Sequence, residues 1–144
     1  MAVTRTVEVV TELLLVVLSI IAAPSELKEF RVDSIHQSGR VESMVVHRTV
    51  GGFTLHLQEG DQLVEKGSIR QVAGKPAAFA LKMGDAPEQV VDLRVGIPDF
   101  NVADLEKSKE LDLKTSDGKT IHVHRSGLAV YLTPEGTGVT VACH

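Results

Sequence analysis

The chain has 144 residues, of which 43% are hydrophobic and 24% charged, a composition typical of one globular domain and not of a disordered chain. Its net charge of −4 is spread along the sequence with no basic run, so we expect no nucleic acid partner. Four phenylalanines, one tyrosine and no tryptophan leave few rings to stack on sugars or bases, and they predict an aliphatic core.

An apolar run near the N-terminus is the most hydrophobic part of the chain. Residues 13–23, LLLVVLSIIAA, provide about 11 positions, whereas a helix needs about 20 to span a bilayer. A run of this length suits the apolar centre of a secretory signal peptide, and Ala23 and Ser25 are the small residues that precede a cleavage site. We therefore predict a signal-like or anchor segment over 1–25 and a single β-rich domain over 26–144. The protein would then be periplasmic or secreted, and it would meet a membrane only through an uncleaved N-terminal segment.

Two other interpretations of this run stay open. The first residues of a signal peptide are positively charged, but here Arg5 is accompanied by Glu8 and Glu12. The run is therefore also compatible with a buried helix or strand of a cytoplasmic protein, although its β-branched residues disfavour a helix. In the third interpretation, the run is buried between the protomers of a homo-oligomer.

From Lys28 onward, short stretches of alternating apolar residues are separated by turn residues such as glycine and proline. This pattern is typical of antiparallel hairpins. We predict a mainly β fold, either an antiparallel β-sandwich or an open barrel of short hairpins. The predicted strands are 28–36, 40–50, 53–59, 62–66, 68–73, 77–83, 89–97, 111–115, 119–125, 128–133 and 138–143.

One segment departs from this alternation. Residues 99–111 carry Val102 and Leu105 at helical spacing. Asn101 is a good N-cap, because its side-chain oxygen accepts a hydrogen bond from a backbone N–H of the first turn. We predict one short helix near 101–110 that covers one end of the sheet.

The hydrophobic pattern also predicts strand register, because a slip by one residue exchanges the two faces of a strand. A two-residue turn at 51–52 pairs Val46 with Leu57 on the apolar face. The same register pairs His47 with His56 on the polar face, which makes these two histidines a further candidate for metal binding.

A second hairpin brings histidines and carboxylates together. A three-residue loop at 116–118 keeps the apolar residues of both strands on one face. On the other face it pairs Asp112 with His122 and Glu110 with His124.

The next turn, predicted at 126–127, continues this hairpin into a three-stranded meander. It places Tyr131 beside His122. Asp112, His122 and Tyr131 would then form one row across the polar face.

The pattern His122-Val123-His124 is the most specific chemical feature of the chain, because alternation puts both imidazoles on one strand face. Two neutral imidazoles with a nearby carboxylate commonly hold Zn²⁺ or another divalent metal. We therefore predict a candidate metal site at His122, His124, Asp112 and Glu110, and we expect no other cofactor. The alternative is an ordinary solvated sheet face, on which Asp–His pairs add modest stability.

Cys143 is the one cysteine of the chain, so neither an intramolecular disulfide nor a C-x-x-C metal or redox pair can form. It alternates with Val139 and Val141, which predicts a small side chain that faces the core.

The sequence contains no phosphate-binding loop and no nucleophile elbow. We therefore expect an exported, non-enzymatic β-domain that binds an unknown protein or small ligand or has a structural role. The alternative, from a different class, is a metal-binding protein or metal-dependent enzyme that uses His122 and His124 with Asp112.

Overall fold

The structure, a computed structural model, describes residues 12–144. Strands dominate this part of the chain, and three short helices accompany them. In chain order the elements are α1 (Glu12–Ala22), β1 (Glu29–His36), β2 (Val41–Thr49), β3 (Gly52–Glu59), β4 (Gln62–Val72), β5 (Lys75–Met83), β6 (Gln89–Asp92), α2 (Leu93–Gly96), α3 (Val102–Lys107), β7 (Glu110–Lys114), β8 (Thr120–Ser126), β9 (Ala129–Pro134) and β10 (Val139–Cys143).

Within the described residues, the ten strands form one antiparallel sheet with the order β6-β5-β4-β3-β2-β1-β10-β9-β8-β7. Each strand pairs with its neighbour along the chain from β1 to β6 and again from β7 to β10, and β10 returns to pair with β1. The segment that contains α2 and α3 therefore joins the two edge strands. The predicted mainly β class is confirmed, and a single continuous sheet is closer to the open barrel than to two stacked sheets.

Helix α1 lies in the hydrophobic core and packs on one face of the sheet, which we call the inner face. It contacts β1, β9 and β10 as well as α2 and α3. A helix that is apolar on every side has to be buried. Its buried apolar side chains belong to the same core cluster as those of the sheet, and they are Leu14, Leu15, Val17, Leu18, Ile20 and Ala22.

Two arginines of the sheet hold the C-terminal end of α1. Arg125 Nη1 donates to the carbonyl of Ala22 at 2.9 Å, and an Arg48 nitrogen donates to the carbonyl of Pro24 at 3.0 Å. The Arg48 guanidinium also lies 5.1 Å from the centroid of the Phe53 ring. The last carbonyls of a helix have no partner within it, and positive charge is favoured at that end. Both arginines therefore fasten α1 to the sheet.

Part of the predicted signal-like segment 1–25 is thus a core helix. Residues 1–11 lie outside the described residues, and cleavage before residue 26 stays a prediction. In the described part of the chain, no helix combines the length and the apolar character that crossing a membrane requires. The placement of α1 agrees with the interpretation of the apolar run as a buried helix of the fold.

A glycine that was expected to form a turn lies inside a strand. Strand β4 is continuous, so the break predicted between strands 62–66 and 68–73 is wrong. Gly67 lies opposite Met83 of β5, and a Cβ at this glycine would collide with the sulfur of Met83 and with the carbonyl oxygen of Lys82. The glycine allows close approach of the neighbouring strand and does not reverse the chain.

Strand β6 is shorter than the predicted range of 89–97. It ends at Asp92, whose Oδ1 accepts a hydrogen bond from the backbone nitrogen of Arg94 at 3.0 Å and so caps α2. The apolar residues beyond this cap belong to a single helical turn that buries Leu93.

Helix α3 confirms the short helix predicted near 101–110. Asn101 is its N-cap, and its side-chain oxygen accepts a hydrogen bond from the backbone nitrogen of Ala103 at 2.9 Å. Leu105 anchors the helix in the core.

The register predicted between β2 and β3 is wrong by two residues. The structure pairs Val46 with Leu55 and His47 with Thr54, because the turn is at 50–51 and not at 51–52. Gly51 has a φ of 81°, which supplies the left-handed conformation that a tight hairpin turn needs. A shift of two residues leaves every side chain on its predicted face.

Candidate functional site

An apolar cavity lies between the first turns of α1 and strands β2 to β5, and we call it the α1 cavity. Its volume is about 270 Å³. Eight apolar side chains line it: Leu13, Val16, Val17, Met44, Leu55, Ile69, Leu81 and Met83. Walls of this kind favour apolar ligands, because none of the side chains in the lining forms strong hydrogen bonds with water.

The alternation of the strands explains why these walls are apolar. Ile69 lies opposite Leu81 in the ladder between β4 and β5, and both are buried on the inner face. Gly67 lies two residues before Ile69 on the same face, and the sulfur of Met83 is next to it. Met83 is 37% exposed, so a flexible side chain forms one edge of the cavity.

A second cavity of about 270 Å³ adjoins the first, and we call it the mouth. Both cavities are lined by Val16, Met44, Leu55 and Met83, so they lie side by side. The mouth also has polar residues in its lining, among them Ser34, Glu42 and Lys66.

The charged groups at the mouth are paired within the protein. Glu42 accepts a hydrogen bond from Arg40 Nη1 at 3.1 Å, and Lys66 Nζ lies 2.9 Å from a carboxylate oxygen of Glu59. These pairs are exposed, so their effect on stability is small. They nevertheless leave the mouth without an uncompensated charge.

A different cleft of about 340 Å³ lies at the other end of α1, where Ile21, Phe79 and Val102 are part of its lining. Its wall includes Arg48, the arginine that holds the end of α1, and the backbone of the turn between β2 and β3. The α1 cavity is therefore the better candidate for an apolar ligand, because its lining has no polar side chain.

The predicted histidine and carboxylate pairs lie on the outer face of the sheet, opposite α1. The predicted register is confirmed: Asp112 pairs with His122 and Glu110 with His124. His122 Nδ1 lies 2.7 Å from Asp112 Oδ1, and both side chains are more than half exposed.

Tyr131 lies beside His124 and not beside His122, so the predicted row of Asp112, His122 and Tyr131 is wrong. The turn between β8 and β9 is at 127–128 and not at the predicted 126–127. The register of the two strands therefore differs from the predicted register by two residues. The rings of His124 and Tyr131 are stacked with centroids 6.3 Å apart.

The structure brings together two of the four predicted metal ligands, His122 and Asp112. Among residues 12–144, no group of three or more histidine, cysteine, aspartate or glutamate side chains is arranged to hold a metal ion. His47 and His56 have ring centroids 4.2 Å apart, and His47 Nε2 lies 2.9 Å from a Glu29 oxygen. A divalent cation at either histidine pair stays a prediction.

Cys143 is fully buried, as its alternation with the neighbouring valines predicted. Burial raises the pKa of its thiol to about 12, although Arg48 and Arg125 act in the opposite direction. A thiol with this pKa is not a nucleophile near neutral pH.

Asp33 is the centre of a polar cluster on the outer face of β1, which the sequence pattern did not indicate. Its carboxylate accepts hydrogen bonds from Ser43 Oγ at 2.5 Å and Arg31 Nε at 3.1 Å, and it lies 2.7 Å from His144 Nε2. Burial alone would raise the pKa of this carboxyl, but hydrogen bonds from Ser43, His144 and Arg31 together hold the pKa below its usual value. Ser43 and His144 both contact Asp33 from different sides, so the cluster stabilises a carboxylate and does not form a serine–histidine relay.

We expect Asp33→Asn to lower the free energy of unfolding by about 2 kcal/mol at pH 7, because it removes a charged acceptor of three hydrogen bonds. Since the pKa is lower in the folded state, the unfolded chain takes up the proton first as the pH falls. The contribution of Asp33 is therefore present above about pH 4 and is lost below it. Urea unfolding at pH 7 and pH 3, with exposed Asp85→Asn as the control, measures this difference. A difference that is equally large at pH 3 would contradict the assignment.

No protein-family model, curated protein or solved structure matches this chain.

Proposed function

We propose that this protein is a non-enzymatic binding domain that holds a small apolar or amphiphilic molecule with an acyl-like chain in the α1 cavity. The observation that carries the proposal is that the α1 cavity and the mouth adjoin each other and share four lining residues. Apolar side chains line the α1 cavity, whereas polar side chains occur in the lining of the mouth. Ligand sites in proteins commonly combine apolar walls with a few placed polar groups.

The size of the cavity sets the expected affinity. Each methylene group that leaves water contributes about 0.8 kcal/mol, whereas association costs at least about 4 kcal/mol. A ten-carbon chain gains about 8 kcal/mol by burial and so keeps about 4 kcal/mol, which corresponds to a dissociation constant on the order of 1 mM. This affinity is measurable by displacement of a fluorescent apolar probe.

Displacement of N-phenyl-1-naphthylamine from the full-length chain tests the proposal. We expect the probe to gain fluorescence with the protein and to be displaced by ten-carbon amphiphiles. Val16 lines both the α1 cavity and the mouth and is half-buried, so Val16→Phe should fill the site and weaken probe binding at least tenfold.

The matched control is Ile21→Phe, which introduces the same ring on the same helix but in the cleft at its other end. This variant should bind the probe like the wild type. Absence of probe binding to the wild type, or its loss in Ile21→Phe but not in Val16→Phe, would contradict the proposal.

The proposed export of the protein is a separate question with a direct consequence for this site. Cleavage before residue 26 would remove α1 and with it one wall of the cavity. We therefore propose that a chain with ligand-binding activity retains α1. Mass spectrometry of the protein from its native host decides between a retained and a cleaved N-terminal segment.

A further inference from the structure

Strand β4 contains a β-bulge at Lys66, beside the mouth. In the ladder with β3, Gly67 lies opposite Leu55. The next pair is Glu65 with His56, which leaves Lys66 without an opposite residue. A bulge redirects the side chain of its extra residue, and bulges are frequent beside functional sites. The alternation of β4 therefore does not decide on which face of the sheet the side chain of Lys66 lies.

The ion pair of Lys66 places its ammonium group on the inner side of the sheet. Its Nζ is 2.9 Å from a carboxylate oxygen of Glu59. Glu59 alternates along β3 with Leu55 and Leu57, which line the mouth, so its side chain leaves the strand on the inner face. Lys66 also lines the mouth, and among the described residues of that lining it is the only lysine or arginine.

A stripe of apolar side chains leads along β3 from the α1 cavity to this ammonium group. The stripe starts at Phe53, which lies opposite Ile69 of the α1 cavity. Leu55 lines both cavities, and Leu57 lines the mouth as the last apolar side chain before Glu59. The four residues from Phe53 to Leu57 cover about 13 Å of strand. An extended ten-carbon chain with a terminal carboxylate has a similar length.

An anionic ligand head can replace Glu59 as the partner of Lys66. The side chain of Glu59 is 52% exposed and lies outside the lining of the mouth, so it is hydrated when it is released. An exposed ion pair contributes little free energy, so the exchange costs little.

A cationic head has no comparable partner in the mouth. The acid in the lining, Glu42, is bonded to Arg40 at 3.1 Å, and the ammonium group of Lys66 repels a second positive charge. The charges of the mouth therefore favour an anion over a cation.

From these observations we propose that the ligand is a single-chain amphiphile with an anionic head, such as a medium-chain carboxylate, whose head pairs with Lys66 Nζ while its chain follows β3 into the α1 cavity. This inference rests on the proposed function of the cavity. It adds the charge of the head group and the residue that recognises it.

Two ten-carbon ligands of opposite charge, decanoate and decyltrimethylammonium, test the inference. Each is titrated at pH 7, below its micelle concentration, against uncharged N-phenyl-1-naphthylamine bound to the full-length protein. We expect decanoate to compete at least threefold better than decyltrimethylammonium. Lys66→Gln should weaken decanoate about threefold to fivefold, the effect of losing one exposed ion pair, and should leave binding of the probe unchanged.

A second variant should change the affinity in the opposite direction. Glu59→Gln removes the internal competitor for Lys66, so we expect it to strengthen decanoate about twofold to threefold. It should leave binding of the uncharged probe unchanged.

The control variant is Lys75→Gln, which removes the same charge from an exposed position at the start of β5, away from the mouth. It should not change the affinity for decanoate. Equal or tighter binding of decyltrimethylammonium, an unchanged affinity for decanoate in Lys66→Gln, or weaker binding of decanoate in Glu59→Gln would overturn the inference. In each of these outcomes the probe still binds, which separates them from failure of the proposed function itself.

Discussion

A chain that starts at residue 26 should not fold. Removal of α1 takes five buried apolar side chains out of the core, namely Leu14, Leu15, Val17, Leu18 and Ile20. Each contributes about 1.5–3 kcal/mol, so the loss is on the order of 7–15 kcal/mol, which is the whole stability of a typical domain. Circular dichroism and urea unfolding of the fragment measure the effect.

The control for this experiment is a full-length chain with one change in the same helix. Leu18 is fully buried, and Leu18→Ala should cost about 2–5 kcal/mol while leaving a cooperative transition. If the fragment 26–144 unfolds as cooperatively as the full chain, α1 is dispensable for the fold. That result would favour the prediction of a removable leader over 1–25.

Replacement of Arg125 with methionine should lower the free energy of unfolding by about 3 kcal/mol, or roughly 6–12 °C in Tm. The guanidinium donates to the carbonyl of Ala22 at the end of α1 and to the carbonyl of Leu105 in α3. Methionine keeps much of the side-chain volume but leaves both carbonyls without this partner. Thermal unfolding of the purified variant gives the shift.

Two further variants separate the hydrogen bonds from the charge. Arg125→Lys retains the charge but cannot reach two carbonyls with one planar group, so it should recover only part of the loss. Arg94 is exposed on α2, and Arg94→Met should leave Tm almost unchanged. An Arg125→Met variant as stable as the wild type would show that the α1 anchor contributes nothing.

The hydrophobic alternation of the strands is sufficient to predict which side chains share a face, but it leaves shifts of two residues unresolved. The β7–β8 hairpin was predicted correctly because a two-residue turn at 117–118 would slip the register by one residue and mix the faces, whereas a three-residue loop that ends at Gly118, with a φ of 88°, does not. In the β2–β3 hairpin, two adjacent glycines allow two turns that differ in register by two residues, and both keep Val46 on the apolar face. Local turn geometry decided between them.

The features that form the site depend on packing between distant parts of the chain. The α1 cavity exists because an N-terminal helix lies against strands β2 to β5, and no local pattern indicates that contact. One signal was nevertheless present in the sequence. Arg48 and Arg125 occupy positions that alternate with buried apolar residues. A polar residue on an apolar strand face needs a partner, and these arginines find theirs in backbone carbonyls at the end of α1 and just after it.

The apolar run at the N-terminus allows both a leader segment and a core helix for a related reason. An apolar run of this length has the same composition whether it enters a secretion channel or the core of its own domain. Whether such a run packs into the core depends on whether a sheet is available to cover it. Here the inner face of the sheet covers α1. Whether the segment is also removed in the cell stays a prediction.

The central claim is that the space between α1 and strands β2 to β5 is a ligand site, and a crystal structure with 10-bromodecan-1-ol tests it most directly. The anomalous signal of bromine locates the end of the chain without ambiguity. We expect this signal in the α1 cavity, beside Ile69 and Leu81. Bromine in the cleft beside Phe79, or an empty α1 cavity in crystals of a protein that binds the alcohol in solution, would contradict the claim.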